Sequence, residues 1–540
     1  MDRRLLSGDE AVAAAARDAG VHLATGYPGT PSTEILEALE ALGGPARWAP
    51  NEKVALEVGL GAAFGGARAL VTMKHVGLNV AADPLFTAAY TGVTGGLVIV
   101  SADDPGMASS QNEQDSRRYA IAAGLPCLVP SDSQEAYDLA LEAFALSERA
   151  ALPVILRMTT RVCHSKSIVD LRPAPPPPAP PAFVRDIPGR VMIPAFARPA
   201  HRRLRAKLAG LEDEAGRPPF LVRRDGGPAL GVIADGVAAR HVREAAPGAA
   251  LLEPKLVHPL PLEALRAFAA SVERCVVVEE GDPVIADACR AAGIPVARTP
   301  GQFRFGELTV ARVRRLLAGD ETPEAEPPRG QPPRLCDACP YHPVYATLRK
   351  LDCIVAGDIG CYSLGVLPPY HAMDTLVAMG ASLGVGLGLR HVLPEGEARR
   401  VVSLIGDSTF AHSGLSGLVE MVYNPPASGH VLLVLDNGTT AMTGQQEHPA
   451  TGRTLDHRAT GRLSIEGVAR ALGVPNVDVV DPVEDPAGFE ALLVDRLGRR
   501  ELSVIVTRRA CILAAADIRR WEEAAGAACA AAPAPGGEAA

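Results

Sequence analysis

The sequence predicts an α/β chain built of three doubly wound domains. Three observations predict it. Short apolar runs end in polar loops along most of the chain, as in GGLVIVSADD, VVSLIGDS and HVLLVLDNG. Stretches with helical periodicity separate them, and strands that alternate with helices imply parallel sheets. Two Pro-rich stretches, RPAPPPPAPPA from Arg172 and ETPEAEPPRGQPPR from Glu321, cut the series in three. A chain of 540 residues is too long for one core.

In chain order, VHLATGYPG reads as a strand and a loop. TPSTEILEALEAL reads as an amphipathic helix with Thr or Ser as N-cap and Glu34 in its first turn. ARALVTM, GGLVIVSADD and LPVILRM follow as buried strands. The first domain is placed at 1–170, with a stiff polyproline-like linker region over 171–224. LGVIADG, CVVVEEG and IPVARTP supply the strands of a second domain, 225–320, and a second linker covers 321–334. CIVAGDIG, VVSLIGDS, HVLLVLDNG and LSVIVTRR build the third domain, 335–515. The tail, 516–540, is low in complexity and is expected to be disordered.

Composition excludes several classes. The net charge is −9 with no long basic block, which argues against nucleic acid or an anionic membrane as main partner. The N-terminus MDRRLLSGDE is too poor in apolar residues for a signal peptide, and no apolar run is long enough to span a bilayer. A cytoplasmic location is the expectation. Ten cysteines in so long a chain make no disulfide scaffold. Cys336 and Cys339 form the one C-x-x-C, and Cys353 and Cys361 do not form a second. The pair is therefore read as ordinary buried or pocket-lining thiols.

The chemistry concentrates in GDSTFAHSGLSGLVEMVYNPPASGHVLLVLDNGTTAMTG, residues 406–444. Asp407 and Asn437 each follow an apolar run, and each falls where ligands bind in a parallel sheet, at the carboxyl end of a strand. The helix expected after Asp407 points its free amides the same way, which favours phosphate. Asp407, Asn437 and the backbone carbonyl of Thr439 make an all-oxygen set. Two diphosphate oxygens and a water would complete an octahedron suited to Mg²⁺. The stretch resembles the Mg²⁺–thiamine diphosphate motif, a G-D-x followed about thirty residues later by an Asn-bearing loop. Thiamine chemistry also needs a carboxyl group beside the aminopyrimidine ring. WAPNEKVALEVGLGAAFGGARALVTM offers Glu52, opening an Ala/Gly-rich helix. Glu57 is the rival, but it would lie well inside the helix.

GYPGTPSTEI, NEKVALEVGLGAAFGGARALVTMKHVGLNVAADPL, LCDACPYH, GDIGCYSLGVLPPYHAMDTLVAMGAS and GDSTFAHSGL together resemble the large (alpha) subunit of indolepyruvate ferredoxin oxidoreductase. The resemblance runs through residues 7–515. It implies a pyrimidine-binding domain, a transketolase C-terminal-like domain and a diphosphate-binding domain. It implies thiamine diphosphate and Mg²⁺ as cofactors. The implied reaction is oxidative decarboxylation of an aryl 2-oxo acid to an acyl-CoA, with electrons passed to ferredoxin. A second subunit of beta or gamma type and a homodimer of this chain are the implied partners. Carried over residue by residue, Asp407, Asn437 and Thr439 hold the metal, Gly406, Ser408 and Gly380 the cofactor, and Glu52 is the pyrimidine acid. Thr30 is a candidate for the substrate carboxylate, and Arg117 or Arg118 could also pair one, although SRR reads more as a surface patch. Lys74 and His75 could face the substrate as catalytic groups or be solvated loop residues. The sequence departs from the family in one respect. No C-x2-C-x2-C-x3-C-P run follows Arg509, and Cys511 and Cys529 are too few to replace it. An iron–sulfur cluster is therefore expected on a partner, not on this chain. A non-oxidative thiamine-dependent decarboxylase or carboligase, which needs no cluster, is the alternative.

Overall fold

The computed structural model describes residues 2–172, 178, 180–324 and 333–531. It divides into two compact units, Met1–Pro327 and Pro328–Ala540. Among the described residues no helix is long and apolar enough to cross a membrane.

The strands of the first unit are β1 (Asp2–Leu6), β2 (Leu23–Gly26), β3 (Ala46–Trp48), β4 (Ala69–Lys74), β5 (Leu97–Asp103), β6 (Cys127–Leu128), β7 (Val154–Thr159), β8 (Ser167–Leu171), β9 (Leu221–Arg224), β10 (Gly227–Ala234), β11 (Ala249–Pro254), β12 (Leu256–His258) and β13 (Cys275–Val278). The main sheet has the order β12-β6-β7-β5-β4-β2-β3 and is parallel except for β12, which pairs antiparallel with β6. Every residue of β4, β5 and β7 is buried, as expected for strands covered on both faces. A smaller sheet, β13-β10-β11-β9, follows, and β1 pairs with β8 apart from both. Four helices matter below: α1 (Gly8–Asp18), α2 (Thr33–Ala41), α3 (Glu52–Phe64) and α4 (His75–Val80).

In the second unit β14 (Ile354–Ala356), β15 (Val401–Gly406), β16 (His430–Asp436), β17 (Asn476–Val480) and β18 (Leu502–Arg508) form a fully parallel sheet in the order β14-β15-β16-β18-β17. Its core is Val- and Leu-rich on both faces. The α/β class expected from the sequence is the observed one.

Several local expectations are corrected. The region 171–224 is no plain linker. It holds the helix Pro194–Ala215, which buries Leu204, Leu208 and Leu211, and it ends in β9 of the smaller sheet. The polyproline reading falls largely on residues outside those described. IPVARTP makes only an isolated bridge at Ala297, because Pro295 and Pro300 bring no N–H to a ladder. Ser32 precedes α2 without a capping side-chain bond; its hydroxyl donates to the Gly29 carbonyl instead. The tail was expected to be disordered, yet Ala515–Ala531 is helical, as an Ala-rich run allows. Residues 532–540 lie outside the description.

Candidate active site

In the second unit the register pairs Gly406 with Leu435, so Asp407 and Asn437 leave adjacent strands at the same edge. The helix after Asp407 is continuous to Tyr423, with a π-helical segment at Phe410–Gly414. Such segments recur at functional sites. Asp407 is buried, and its two oxygens accept from the N–H groups of Ser408 and Gly438, each at 2.8 Å. His448 Nε2 lies 3.3 Å from Asp407 Oδ2. Burial works against the charge on Asp407, but His448 and the two N–H groups outweigh it and hold the pKa below the usual carboxylate value. The Asn437 side-chain oxygen accepts from the Thr439 N–H at 3.1 Å, and Thr440 Oγ1 donates to Ser408 Oγ at 2.9 Å.

The neighbouring Asp436 has its pKa pushed up by burial and by the charge of Asp407, with Arg508 opposing. Hard oxygen donors and a helix N-terminus at one place fit Mg²⁺ and a diphosphate. Gly406 contributes closeness: a Cβ there would lie 2.6 Å from the Tyr362 ring. Gly380 sits at φ +83°, and its N–H donates to Asp358 Oδ1 at 2.9 Å. Asp358, fully buried, also accepts from the Ser382 and Ile359 N–H groups and so braces the start of the helix Ala381–Val392. Sequence reading overlooked Asp358 and His448. GDIG after an apolar run was the available signal for the first; nothing local marked the second.

The first unit gathers a second group at the carboxyl edge of its main sheet. Asn51 caps α3 by accepting from the Val54 N–H at 2.9 Å, so Asn51, not the buried Glu52, is the capping residue. Gly77 of α4 packs flush on it, since a Cβ at Gly77 would lie 2.6 Å from Glu52 Cγ. Glu57 is instead a half-exposed partner of Lys53. Lys74 and His75 are buried, not solvated loop residues. Lys74 Nζ donates to Ser109 at 3.0 and 3.2 Å, and His75 Nε2 meets the Asn112 carbonyl oxygen at 3.1 Å. Burial draws the Lys74 pKa down to about 8 against the pull of Asp104. A Cβ on Gly29 would come within 3.0 Å of Lys74 Cβ, so the loop carrying Thr30 rests on this lysine. Glu52, Thr30, Lys74 and His75 thus border one region of the sheet edge.

Arg117 does not join them, and the surface reading of SRR fails for it. Its side chain is fully buried. It pairs with Asp115, with Asp235 at 3.0 Å and with Glu279 at 2.9 Å, and donates to the Glu280 and Asp282 carbonyls. Its donors are taken up by Asp115 beside the main sheet and by Asp235, Glu279, Glu280 and Asp282 in the smaller sheet's loops, so it bolts two sheets together and has no donor left for a substrate. Arg118 is the exposed member of the pair.

The four cysteines Cys336, Cys339, Cys361 and Cys511 converge in the second unit. Cys339 has Cys336, Cys361 and Cys511 as electrostatic neighbours, and Cys361 has Cys511 and Cys336. Burial is the main cause that pushes both thiols to about 11; the neighbouring thiols add to it, and at Cys339 a backbone hydrogen bond at Tyr341 opposes it. The Cys511 N–H donates to the Asn437 carbonyl at 2.9 Å, which sets the group beside the Asp407 edge. The reading of Cys336 and Cys339 as ordinary thiols, and of Cys511 as stranded, rested on sequence spacing alone. The fold removes that ground.

Two family descriptions match the chain: "Pyruvate flavodoxin/ferredoxin oxidoreductase, thiamine diP-bdg" over residues 14–178, and "Thiamine pyrophosphate enzyme, C-terminal TPP binding domain" over residues 358–507. With the fold, they define a thiamine diphosphate-binding 2-oxoacid oxidoreductase subunit. Indolepyruvate oxidoreductase subunit IorA of Methanothermobacter thermautotrophicus is 38% identical, covering 96% of this chain and 88% of its own length. The IorA of Archaeoglobus fulgidus is 37% identical over the same shares. The chain belongs to the indolepyruvate oxidoreductase subunit IorA family. A 2-oxoglutarate:ferredoxin oxidoreductase from Magnetococcus marinus superposes with a TM-score of 0.49 at 19% identity, covering 59% of this chain and 66% of that one.

Proposed function

We propose that the chain catalyses oxidative decarboxylation of an aryl 2-oxo acid of the indolepyruvate kind to its acyl-CoA, and passes the electrons to ferredoxin in company with a second subunit. The observation that carries the reading is the pair Asp407 and Asn437 on adjacent strand ends, at the head of a helix, within a chain of the IorA family. Asp407, Asn437 and the Thr439 carbonyl hold Mg²⁺, and Gly406, Ser408 and Gly380 shape the diphosphate cradle. Thiamine diphosphate supplies the carbanion equivalent that lets the carboxylate leave. Glu52 shares a proton with the pyrimidine ring nitrogen. Its burial, and the missing side chain at Gly77 that makes room for the carboxyl group, support that role. Lys74 and Thr30 orient the substrate carboxylate, and His75 holds or moves a proton beside it.

Two electrons must leave, and the four converging cysteines offer a seat for an iron–sulfur centre. A single tetrahedral ion with bonds of about 2.3 Å to sulfur would draw its thiolates to within about 4 Å of one another. Cys336, Cys339, Cys361 and Cys511 lie near enough to one another to interact electrostatically, which supports a shared centre. This reading stands against the expectation of a cluster on a partner alone, and iron analysis of the isolated chain decides between the two.

An anaerobic assay tests the proposal. The chain is reconstituted with iron, sulfide, Mg²⁺ and thiamine diphosphate, together with its partner subunit, and given indolepyruvate with and without CoA. CoA-dependent reduction of ferredoxin or a viologen dye is expected. About four irons per chain, lost in Cys361→Ser, are expected on the isolated chain. Release of CO₂ with free aldehyde and no acceptor reduction would establish the non-oxidative alternative instead.

A further inference from the structure

We infer that Asp9, Glu34 and His164 form a second metal site in the first unit, suited to a borderline divalent ion such as Zn²⁺. Their ligand atoms already lie within 4.8 Å of one another, and His164 Nε2 stands 3.9 Å from Glu34 Oε1. Three elements bring them together. Asp9 lies in the first turn of α1, Glu34 in the first turn of α2, and His164 ends the short helix Thr160–His164 that follows β7. Gly8 allows the approach. A Cβ there would sit 2.1 Å from the Val162 carbonyl oxygen, so only glycine lets α1 press onto that helix.

The independent observation is Asp9 itself. It is 1% exposed, and neither carboxylate oxygen accepts a hydrogen bond of full geometry. Its polar neighbour is the buried thiol of Cys163, a weak donor. The cations nearby in sequence are engaged elsewhere: Lys166 pairs with Glu10, and Arg161 with Glu307. A buried carboxyl group with no strong donor and no counter-charge is costly to keep. Both become available if an ion sits between Asp9 and the exposed Glu34–His164 pair.

The donor set decides which ion. Two carboxylates balance the charge of a dication. Mg²⁺ and Ca²⁺ prefer oxygen alone and more ligands, whereas an imidazole favours Zn²⁺ and its neighbours in the first transition row. Three protein ligands leave a fourth position toward solvent, on the exposed side where Glu34 and His164 lie. Zinc bonds to nitrogen and oxygen of about 2.0–2.1 Å require the donors to draw in slightly, and Glu34 and His164 are free enough at the surface to do so. The site lies outside the residues given roles in the reaction. Its position is mechanical: Glu34 is four residues beyond Thr30, so an ion would pin the start of α2, and with it the Thr30 loop, to α1.

The test uses the full-length, untagged chain carrying Cys336→Ser and Cys339→Ser, so that the four-thiol group takes up no tight zinc. It is stripped of metal, kept without thiamine diphosphate, and titrated with Zn²⁺ by calorimetry, with zinc counted after dialysis. One zinc per chain is expected, with affinity at least tenfold weaker in His164→Ala and in Asp9→Asn. His164 is 42% exposed in its side chain, so its replacement leaves the fold intact and keeps the test valid if the Asp9 variant misfolds. Less than one zinc in the starting protein overturns the site. So does an affinity unchanged by the substitution in either variant that folds.

Discussion

Asp407→Asn is the sharpest test of the diphosphate clamp. The perturbation is isosteric and removes one charge. In the parent, the carboxylate accepts from the Ser408 and Gly438 N–H groups and, on the proposed reading, would offer its remaining lone pairs to the ion. Asparagine keeps one oxygen, so one of the two N–H groups meets an amide NH₂, and the ion loses its anionic ligand. A charge-assisted interaction contributes about 1.5–3 kcal/mol. At the upper end that corresponds to roughly 100-fold in Kd. The apo protein responds differently. The lost hydrogen bond destabilises it, while relief of repulsion with Asp436 stabilises it, so the two effects oppose each other. With ligand at 100 times the parent Kd, cofactor binding stabilises the parent by about 2.7 kcal/mol. A variant with a Kd weakened about 100-fold keeps only ~0.4 kcal/mol of that. The assay is calorimetric titration of thiamine diphosphate in the presence of Mg²⁺, paired with melting curves of the apo and loaded protein. A Kd within threefold of the parent, in a variant whose apo melting is unchanged, would refute the assignment.

Two further predictions concern the first unit. Glu52→Gln keeps size and polarity but delivers no proton. Cofactor should stay bound while exchange of the thiazolium C2 proton, followed by NMR in D₂O, slows by about 10²–10⁴-fold. If Glu57→Gln slows exchange and Glu52→Gln does not, the wrong acid has been chosen. Glu280 is a stability test with a definite sign. Burial raises its pKa to about 7 from an ordinary 4.5, although its Oε1 accepts from the Leu308 N–H. A carboxyl group whose pKa is raised on folding contributes stability in full below pH 4.5 and loses it as pH rises through 7. Glu280→Gln stays neutral and keeps the acceptor, so denaturant unfolding at pH 8 should show a gain of up to ~3 kcal/mol, with little change at pH 4. An unaltered pH slope would count against it.

What the sequence made legible followed from local rules. Asp407 and Asn437 could be read because a buried strand announces itself as an apolar run, and parallel sheets bind ligands where such runs stop. Glu52 could be read because it follows an expected strand and opens an Ala/Gly-rich helix. Arg117 could not. Nothing in SRRY says that one arginine is exposed and the other fully buried. That depends on Asp235 and Glu279, more than a hundred residues away, and on the smaller sheet that carries them. Asp9 was hidden for the opposite reason. An acid two residues after a serine N-cap looks like an ordinary helix start, and only the packing of Gly8 onto Val162 reveals that it is shut away from water.

The thiols carry the same lesson further. Cysteine-rich runs are legible because their ligands are close in sequence, but a site needs closeness only in space. Here the C-x-x-C lies before the sheet of the second unit, Cys361 opens the turn after β14, and Cys511 follows β18. The carboxyl ends of β14 and β18 flank those of β15 and β16, where Asp407 and Asn437 leave the sheet. The Cys511 N–H to Asn437 carbonyl bond joins the last of the thiols to the loop of the proposed clamp. A strand order of β14-β15-β16-β18 therefore brings the proposed electron acceptor and the proposed diphosphate clamp to the same edge by topology alone.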